Sequence, residues 1–160
     1  MTVEAILAEA VTDMEQPVIA ALAGKAAAVH SIGPDESVHR AITRMSEEGV
    51  GCLVVLDQRQ QLAGIIAERD YCRKVILMGR NSHGTRVREI MTTAVITIGP
   101  SASLRQAMEL MTEQHVRHLP VVQDRTVVGV LSIGDVMKAV LGSQLQTIHD
   151  LRTQLNGYTA

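Results

Sequence analysis

The chain contains one motif twice, and this duplication constrains its fold more than any other feature. Residues 29–75 read again over residues 95–140, at an offset of 66 positions that becomes 65 after one deleted residue. A period this long is not that of a solenoid array, whose repeats are roughly 20–50 residues. The chain therefore holds two copies of one small supersecondary unit, neither of which could bury its apolar face well alone. Identical pairs include Val29/Val95, Ile32/Ile98, Gly33/Gly99, Pro34/Pro100, Ser37/Ser103, Met45/Met111, Gly64/Gly129 and Asp70/Asp135.

The hydrophobic periodicity changes in the same order within each copy. Short β-branched runs over 29–32 and 95–98 end at Gly-Pro, which predicts a strand followed by a turn. Ser37 and Ser103 then occupy the N-cap positions of two helices whose apolar residues recur at i, i+3, i+4 and i+7. The further predicted elements are strands over 52–56, 62–67, 119–122 and 126–132 and second helices that begin near Glu68 and Ile133. The order β-α-β-β-α, twice, predicts a mixed α/β (α+β) fold.

Composition restricts the classes of protein to which the chain can belong. It has no Phe, no Trp and two Tyr, so the core must be aliphatic, and a flat ligand would lie between aliphatic side chains. The formal net charge of −2 does not suggest a nucleic-acid-binding surface. With neither a signal-peptide pattern nor an apolar run of membrane-spanning length, we expect a cytoplasmic protein without a membrane partner. Cys52 and Cys72 fit neither a zinc site nor a disulfide framework and are predicted to be buried free thiols.

The duplication divides the chain into five predicted segments. These are an N-terminal segment with a helical insertion (1–28), the first repeat (29–78), a basic linker (79–94), the second repeat (95–141) and an amphipathic helical tail (142–160). Val3–Leu7 echo Val87–Met91 in sequence. The Ala-rich residues 8–28 predict a helix that Pro17 kinks or ends. Apolar residues at three- and four-residue spacing from Leu141 to Leu155 predict a tail helix with one apolar face.

These motifs resemble those of a tandem pair of CBS domains, the cystathionine-β-synthase-type repeat, often called a Bateman module. The resemblance covers residues 29–141. A narrower similarity, through Glu68–Val75, Gly79–Ser82 and Val87–Met91, is to the stand-alone CBS-pair proteins of bacteria and plant mitochondria. The motifs that carry the resemblance are Gly-Pro before each first helix, Val116-Arg-His-Leu-Pro-Val121, Gly64-Ile-Ile-Ala-Glu-Arg-Asp70 and Gly129-Val-Leu-Ser-Ile-Gly-Asp135.

The resemblance implies an architecture and a class of ligand. Two repeats are expected to pack about a pseudo-twofold axis with two clefts between them, and the modules are expected to form homodimers. Family members commonly bind adenosyl ligands in these clefts, so we expect AMP first, with NADH or ATP as alternatives. No metal is expected, because His115 and His118 have no acidic or Cys companions. The motifs assemble no nucleophile–base pair and no Walker pattern, so we do not expect an enzyme.

One family motif carries over to both copies. In the family, the Asp of G-h-x-[S/T]-x-x-D accepts hydrogen bonds from both ribose hydroxyls, and the Ser/Thr hydroxyl faces the phosphate. The resemblance therefore implies a complete site at Ser132 and Asp135. In the first copy Asp70 matches, but Ala67 replaces the hydroxyl residue, which argues against the same phosphate contact there. The alternative is that both Asp residues only stabilise the starts of their helices.

Further contacts are implied by the same resemblance. Adenine is expected to contact the backbone of Ser31, Ile32, Thr97 and Ile98. Arg117 and His118 stand where the family often places phosphate-facing cations and are expected to reach the cleft built on Asp70; the alternative is a surface pair at the start of a strand. The linker and the helix before it carry a basic cluster that either holds a second phosphate or is a solvated face. Its members are Arg73, Lys74, Arg80, His83, Arg86 and Arg88.

Two functions from different classes fit these residues. The first is a homodimeric sensor that binds an adenine nucleotide without turning it over and regulates an unidentified protein. The second is a constitutive interaction adaptor with vestigial clefts, whose C-terminal apolar stripe docks a partner. Retention of both Asp70 and Asp135 favours the sensor, whereas loss of the hydroxyl at Ala67 favours the adaptor.

Overall fold

The computed structural model of the protein describes residues 12–23 and 29–142, which divide into two compact units. The first unit comprises residues 29–97 and 120–130, and the second comprises residues 12–23, 98–119 and 131–142. In chain order the elements are α1 (Val18–Leu22), β1 (Ser31–Ile32), α2 (Val38–Glu48), β2 (Cys52–Leu56), β3 (Leu62–Ala67), α3 (Glu68–Tyr71), a π-helix (Cys72–Ile76), α4 (Val87–Ile90), α5 (Leu104–Glu113), β4 (His118–Gln123), β5 (Thr126–Ser132) and α6 (residues 133–142). In this described part, every helix is too short or too polar to cross a membrane.

The first unit is built on a three-stranded sheet. Strand β2 lies in the centre, parallel to β1 and antiparallel to β3. Four successive residues of β2 are buried because both of its faces are covered, which explains why Cys52–Val55 read as an uninterrupted apolar run. Helix α2 crosses from β1 to β2 and buries Val38, Ala41 and Met45 in the core of this unit. Removing the Val38 or the Met45 side chain from water stabilises the unit by about 1.5–3 kcal/mol each, and the single methyl group of Ala41 contributes less.

Most predicted elements are confirmed, as is the mixed α+β fold class. Strands β2, β3 and β5 have the predicted bounds, and β4 extends one residue further at each end than predicted. Both N-caps are confirmed as well. The Ser37 hydroxyl accepts the Arg40 N–H, and the Ser103 hydroxyl accepts the Gln106 N–H, each at 3.2 Å. A serine at this position satisfies one of the N–H groups that lack a partner in the first helical turn.

The predicted strand over residues 95–98 is wrong over most of its length. Only Ile98 of this stretch forms a β-bridge, and the Val95 N–H donates to the Thr93 carbonyl (2.9 Å) in a tight turn. The boundary between the two units also falls here, since Thr97 belongs to the first unit and Ile98 to the second.

The prediction of two buried cysteines is correct for Cys52 and wrong for Cys72, which is exposed. Cys72 begins the π-helix, in which the Leu77 N–H reaches the Cys72 carbonyl five residues back (3.1 Å). Residues i and i+3 do not share a face in this wider turn. Val75 is therefore buried while Cys72 faces outwards.

The N-terminal insertion follows its prediction where it is described. The helical residues 12–14 end before Pro17, and α1 begins directly after it. The echo at Val3–Leu7 and the tail residues beyond 142 lie outside the described residues. The insertion has a role that sequence comparison missed, because residues 16–19 dock in the second unit as residues 85–88 dock in the first. Three pairs of backbone hydrogen bonds match, all at 2.8–3.1 Å. In the second unit, the Val18 N–H donates to the Ala102 carbonyl, the Ile19 N–H to the Pro100 carbonyl and the Leu104 N–H to the Gln16 carbonyl. In the first unit, the corresponding bonds run from Val87 to Glu36, from Arg88 to Pro34 and from Val38 to Thr85.

Candidate functional site

Asp70 lies at the end of β3, where the strand passes into α3. Its Oδ2 accepts the Ala67 N–H at 3.0 Å, and its Oδ1 lies 2.7 Å from the Lys74 ammonium. The side chain is 17% exposed and is therefore not completely shielded from solvent. The strand end and the following helix therefore orient this carboxylate from two sides.

Lys74 is fixed at a second point besides Asp70. Its Nζ also donates to the Ile90 carbonyl at 2.6 Å, at the end of α4. The ammonium thus joins the π-helix to α4 and holds a positive charge beside the Asp70 carboxylate. Lys74 belongs to the predicted basic cluster. Its contact with Asp70 was not predicted, although an acid and a base at i and i+4 of a helix are a signal for such a pair.

Asp135 occupies the matching place at the start of α6, but its surroundings differ. Its Oδ2 accepts both the Ser132 N–H (2.7 Å) and the Ser132 hydroxyl (2.6 Å), while the Asp135 N–H donates to that hydroxyl (3.2 Å). Asp135 is buried. The two motif aspartates therefore share their backbone setting. Among the side-chain differences around them are Ala67 against Ser132 and Lys74 against Ala139.

Both aspartates stabilise the starts of their helices, as the alternative interpretation predicted. The Oδ2 of each accepts the N–H of the residue three positions before it. The Asp70 carboxylate can accept further hydrogen bonds besides this one. A carboxylate has about four lone-pair positions, and the hydrogen bond from Ala67 and the ion pair with Lys74 use two of them. Asp70 thus has acceptor capacity left for a diol.

Ser31 and Ile32, two of the four predicted adenine contacts, line an open groove of about 310 Å³ in the first unit. The groove lies at the carboxyl ends of β1 and β2, whereas Asp70 follows the strand end that pairs with the opposite end of β2. Two strand spacings and two residues separate Ser31 from Ala67, which gives about 12 Å between their Cα atoms. The groove is also lined by Gly33, Pro34, Asp35, Glu36, Arg44, Leu56, Asp57, Gln58 and Gln60.

The acidic residues of this groove are engaged within the first unit. Asp35 binds both Arg86, through its carbonyl, and Arg88, through its carboxylate. Glu36 pairs with Arg40 (2.9 Å), and the Asp57 carboxylate accepts two backbone N–H groups of its own turn. The acidic side chains therefore stabilise local structure.

Gly64, the first residue of the family motif, is explained by packing. A Cβ at this position would lie 2.8 Å from the Met91 sulfur and 2.9 Å from the Thr92 carbonyl. The backbone of Thr92 pairs with Ile65 through two hydrogen bonds of 2.9 and 3.0 Å, so it passes directly beside β3. Glycine is required here because the chain comes so close to the strand.

The predicted ligand contacts Thr97, Ile98, Arg117 and His118 differ in their surroundings and exposure. The Arg117 carbonyl accepts the Ile133 N–H (3.0 Å), which holds Arg117 beside the start of α6 in the second unit. The Arg117 side chain is exposed, and His118 is half-buried as the first residue of β4. Thr97 is exposed and Ile98 is buried. The assignment of Arg117 and His118 to the Asp70 cleft remains a prediction.

The basic linker is folded onto the first unit. Arg86 and Arg88 bind Asp35, and the ring of His83 stacks on that of His39 with centroids 3.8 Å apart, a contact that the sequence did not reveal. Arg80 is exposed and makes no ion pair within residues 12–23 and 29–142. Much of the predicted basic cluster therefore holds the linker in place.

An ion pair lies outside the motif sites. In the second unit, a hydrogen bond from Arg105 to the Glu15 carboxylate (2.6 Å) raises the pKa of the Arg105 guanidinium and ties α5 to the insertion. Among the described residues, no group of three or more His, Cys, Asp or Glu side chains is placed to bind a metal ion.

Comparison with known proteins identifies the family. The model of the CBS domain matches residues 8–76 and again residues 87–142. The chain belongs to the CBS domain family and contains a pair of these domains. The resemblance drawn from its motifs is therefore confirmed.

Individual relatives agree with this assignment. The chain is 42% identical over 127 residues to the mitochondrial CBS domain-containing protein CBSX3 of Arabidopsis thaliana, covering 77% of this chain and 62% of that protein, so it spans less than two thirds of this relative's length. It is 31% identical over 108 residues to YhcV of Bacillus subtilis, covering 68% of this chain and 76% of that protein. A solved structure of a protein with CBS domains from Burkholderia ambifaria is 41% identical and superposes with a TM-score of 0.77, covering 81% of this chain and 96% of that one.

Proposed function

We propose that this protein is a non-catalytic regulatory module that binds an adenosine-containing nucleotide in the clefts of its CBS pair. AMP is the ligand we favour, with NADH or ATP as alternatives. The observation that carries the proposal is the paired setting of Asp70 and Asp135. Each carboxylate follows a strand end and is oriented by hydrogen bonds from its own copy of the motif. An oriented carboxylate suits a vicinal diol, which presents two donors to a fork of acceptors.

The proposed roles of the other residues follow from the family motif. The Ser132 hydroxyl faces the ligand phosphate in one site, and Arg117, His118 and the exposed Arg80 supply positive charge for phosphates. Guanidinium groups suit this task because their planar fork matches phosphate oxygens. Adenine is read by backbone groups of Ser31, Ile32, Thr97 and Ile98.

We further propose that the module forms a homodimer and regulates an unidentified protein in the cytoplasm, with the repeats at 29–78 and 95–141. Exposed apolar side chains support the dimer. They comprise Ile76 at the end of the π-helix, Leu77 and Met78 directly after it, and Ile133, Met137 and Leu141 on α6. Exposed apolar side chains that are close together within a unit are typical of protein interfaces. Oligomeric relatives exist, since a solved CBS-CP12 protein that is 26% identical (TM-score 0.70, covering 78% of this chain) is hexameric.

The binding proposal is tested by thermal unfolding with a panel of AMP, ADP, ATP, NAD, NADH and S-adenosylmethionine. A ligand at 100 times its dissociation constant stabilises the folded state by about 2.7 kcal/mol. For a chain of this size we expect the melting temperature to rise by about 5–10 °C. The absence of any shift at millimolar concentrations of every ligand would contradict the proposal.

The same assay tests the residues. In the double variant Asp70→Ala/Asp135→Ala, we expect the ligand-dependent shift at the same ligand concentration to fall by about half or more, because losing charge-assisted bonds to a diol costs roughly 1.5–3 kcal/mol at each site. The unliganded variant supplies the baseline, since both substitutions also remove helix-capping bonds. A double variant with the wild-type shift would show that the aspartates do not hold the ligand.

A further inference from the structure

The two motif sites differ in charge at one position of the helix that follows each aspartate. Four residues after Asp70 stands Lys74, and four residues after Asp135 stands Ala139. The first site also lacks the hydroxyl that Ser132 gives to the second. A site without that hydroxyl but with an ammonium group recognises a phosphate by different chemistry.

The Lys74 ammonium is positioned by the protein and retains one unused donor. It has three N–H groups. One is directed to the Asp70 carboxylate at 2.7 Å and one to the Ile90 carbonyl at 2.6 Å. The side chain is 43% exposed, and among the described residues its ammonium has these two partners, which leaves one N–H for a ligand. Two anchors hold the charge in place before any ligand arrives, which lowers the entropic cost of the third contact.

We propose that Lys74 makes the Asp70 site selective for a phosphorylated nucleoside over the uncharged nucleoside. This inference rests on the proposed nucleotide-binding function and names the ligand class of one of its two sites. A nucleotide whose ribose diol binds Asp70 also brings its phosphate group near this carboxylate, and the two negative charges repel each other. Lys74 offsets that repulsion with its own charge and donates its third hydrogen bond to a phosphate oxygen. The Asp135 site has no ammonium at position 139 and relies on the Ser132 hydroxyl.

The test compares AMP with adenosine by isothermal titration calorimetry on the full chain. The Asp135→Asn background restricts the measurement to the Asp70 site. In this background we expect AMP to bind about 10-fold more tightly than adenosine. Lys74→Met should weaken AMP about 5-fold or more, with adenosine changed less than about 2-fold, so that the preference falls and only the part supplied by the proposed Arg117 and His118 contacts remains. Lys74→Arg should retain the preference.

Position 139 offers a matched gain-of-function control. In the Asp70→Asn background, which leaves only the Asp135 site, Ala139→Lys should raise the preference for AMP over adenosine several-fold.

The outcomes separate this inference from the proposed function. Equal weakening of AMP and adenosine by Lys74→Met would assign Lys74 a purely structural role through Ile90. Unchanged affinities for both ligands would remove Lys74 from the phosphate site. Either result overturns the inference and leaves nucleotide binding intact. A wild-type chain that binds neither ligand would overturn the proposed function, and the inference with it.

Discussion

Ala67 and Ser132 occupy the same position in the two copies, and the difference between them is a single hydroxyl group with three consequences. The Ser132 hydroxyl donates to Asp135, accepts the Asp135 N–H, and thereby closes a reciprocal cap at the start of α6. At the start of α3, only the backbone N–H of Ala67 reaches Asp70. The first copy thus lacks the hydroxyl cap. Its aspartate, Asp70, instead forms an ion pair with Lys74.

Exchange of these two residues should change stability in opposite directions. Ala67→Ser supplies the missing cap and should stabilise the protein by about 0.5–1 kcal/mol, whereas Ser132→Ala should destabilise it by about 1 kcal/mol. Urea unfolding measures both effects as shifts of the midpoint. Ala94→Ser, at an exposed position outside the helices and strands, is the control and should change stability by less than about 0.5 kcal/mol.

The opposite pattern, with Ala67→Ser destabilising and Ser132→Ala neutral, would show that the hydroxyl of the motif does not act as a cap.

Among the structural elements, the segments 16–19 and 85–88 show how the duplicated units are completed. Each donates two N–H groups to the loop before a repeat helix and accepts the first N–H of that helix. Val18 and Val87 stand at the same point of the two segments, and both are completely buried. The segment before the first repeat therefore completes the helix of the second copy, and the linker completes the helix of the first.

Truncation of the two valines should have matching effects. Val18→Ala and Val87→Ala each remove buried methyl groups and should each reduce the free energy of unfolding by about 2 kcal/mol. Ile19→Ala is the control within the same helix: Ile19 is 45% exposed, so its truncation should cost less than about 0.5 kcal/mol. Chemical denaturation of the three variants measures the effects.

A loss at Val87 without one at Val18 would mean that residues 16–19 do not pack as residues 85–88 do.

At the scale of the whole molecule, exposed apolar side chains are concentrated on the helix that follows each motif aspartate. Met137 and Leu141 stand where the first copy has Cys72 and Ile76, so the duplication repeats an exposed helical face. Leu77 is the most exposed of this set at 77%. Solvent-exposed apolar side chains at matching positions favour association between copies of the chain.

The double variant Leu77→Asp/Met137→Asp tests this association. It should convert the proposed dimer into a monomer, because it places a charge in each apolar patch, where burial without a partner is unfavourable. Sedimentation velocity at micromolar concentration measures the change. Gln61→Asp/Gln123→Asp makes the same change in charge at exposed polar positions and should remain dimeric. A monomeric wild-type protein, or a dimeric Leu77→Asp/Met137→Asp variant, would contradict the proposed interface.

The sequence by itself determined the features that depend on short-range order. Strands such as Cys52–Leu56 and the N-caps at Ser37 and Ser103 were predicted because periodicity and capping involve residues only a few positions apart. Gly64 and Asp70 were identified because the motif recurs. The CBS family followed from the same duplicated motifs.

Only the tertiary structure decided the contacts between residues distant in the chain. The docking of residues 16–19 on the loop before α5, the bond from Lys74 to Ile90 and the stacking of His83 on His39 leave no periodic signal in the sequence. The turn at Val95 likewise prevailed over a β-branched run that locally favours a strand. Local preference is worth fractions of a kcal/mol per residue, and it yields wherever long-range packing and hydrogen bonding favour another conformation.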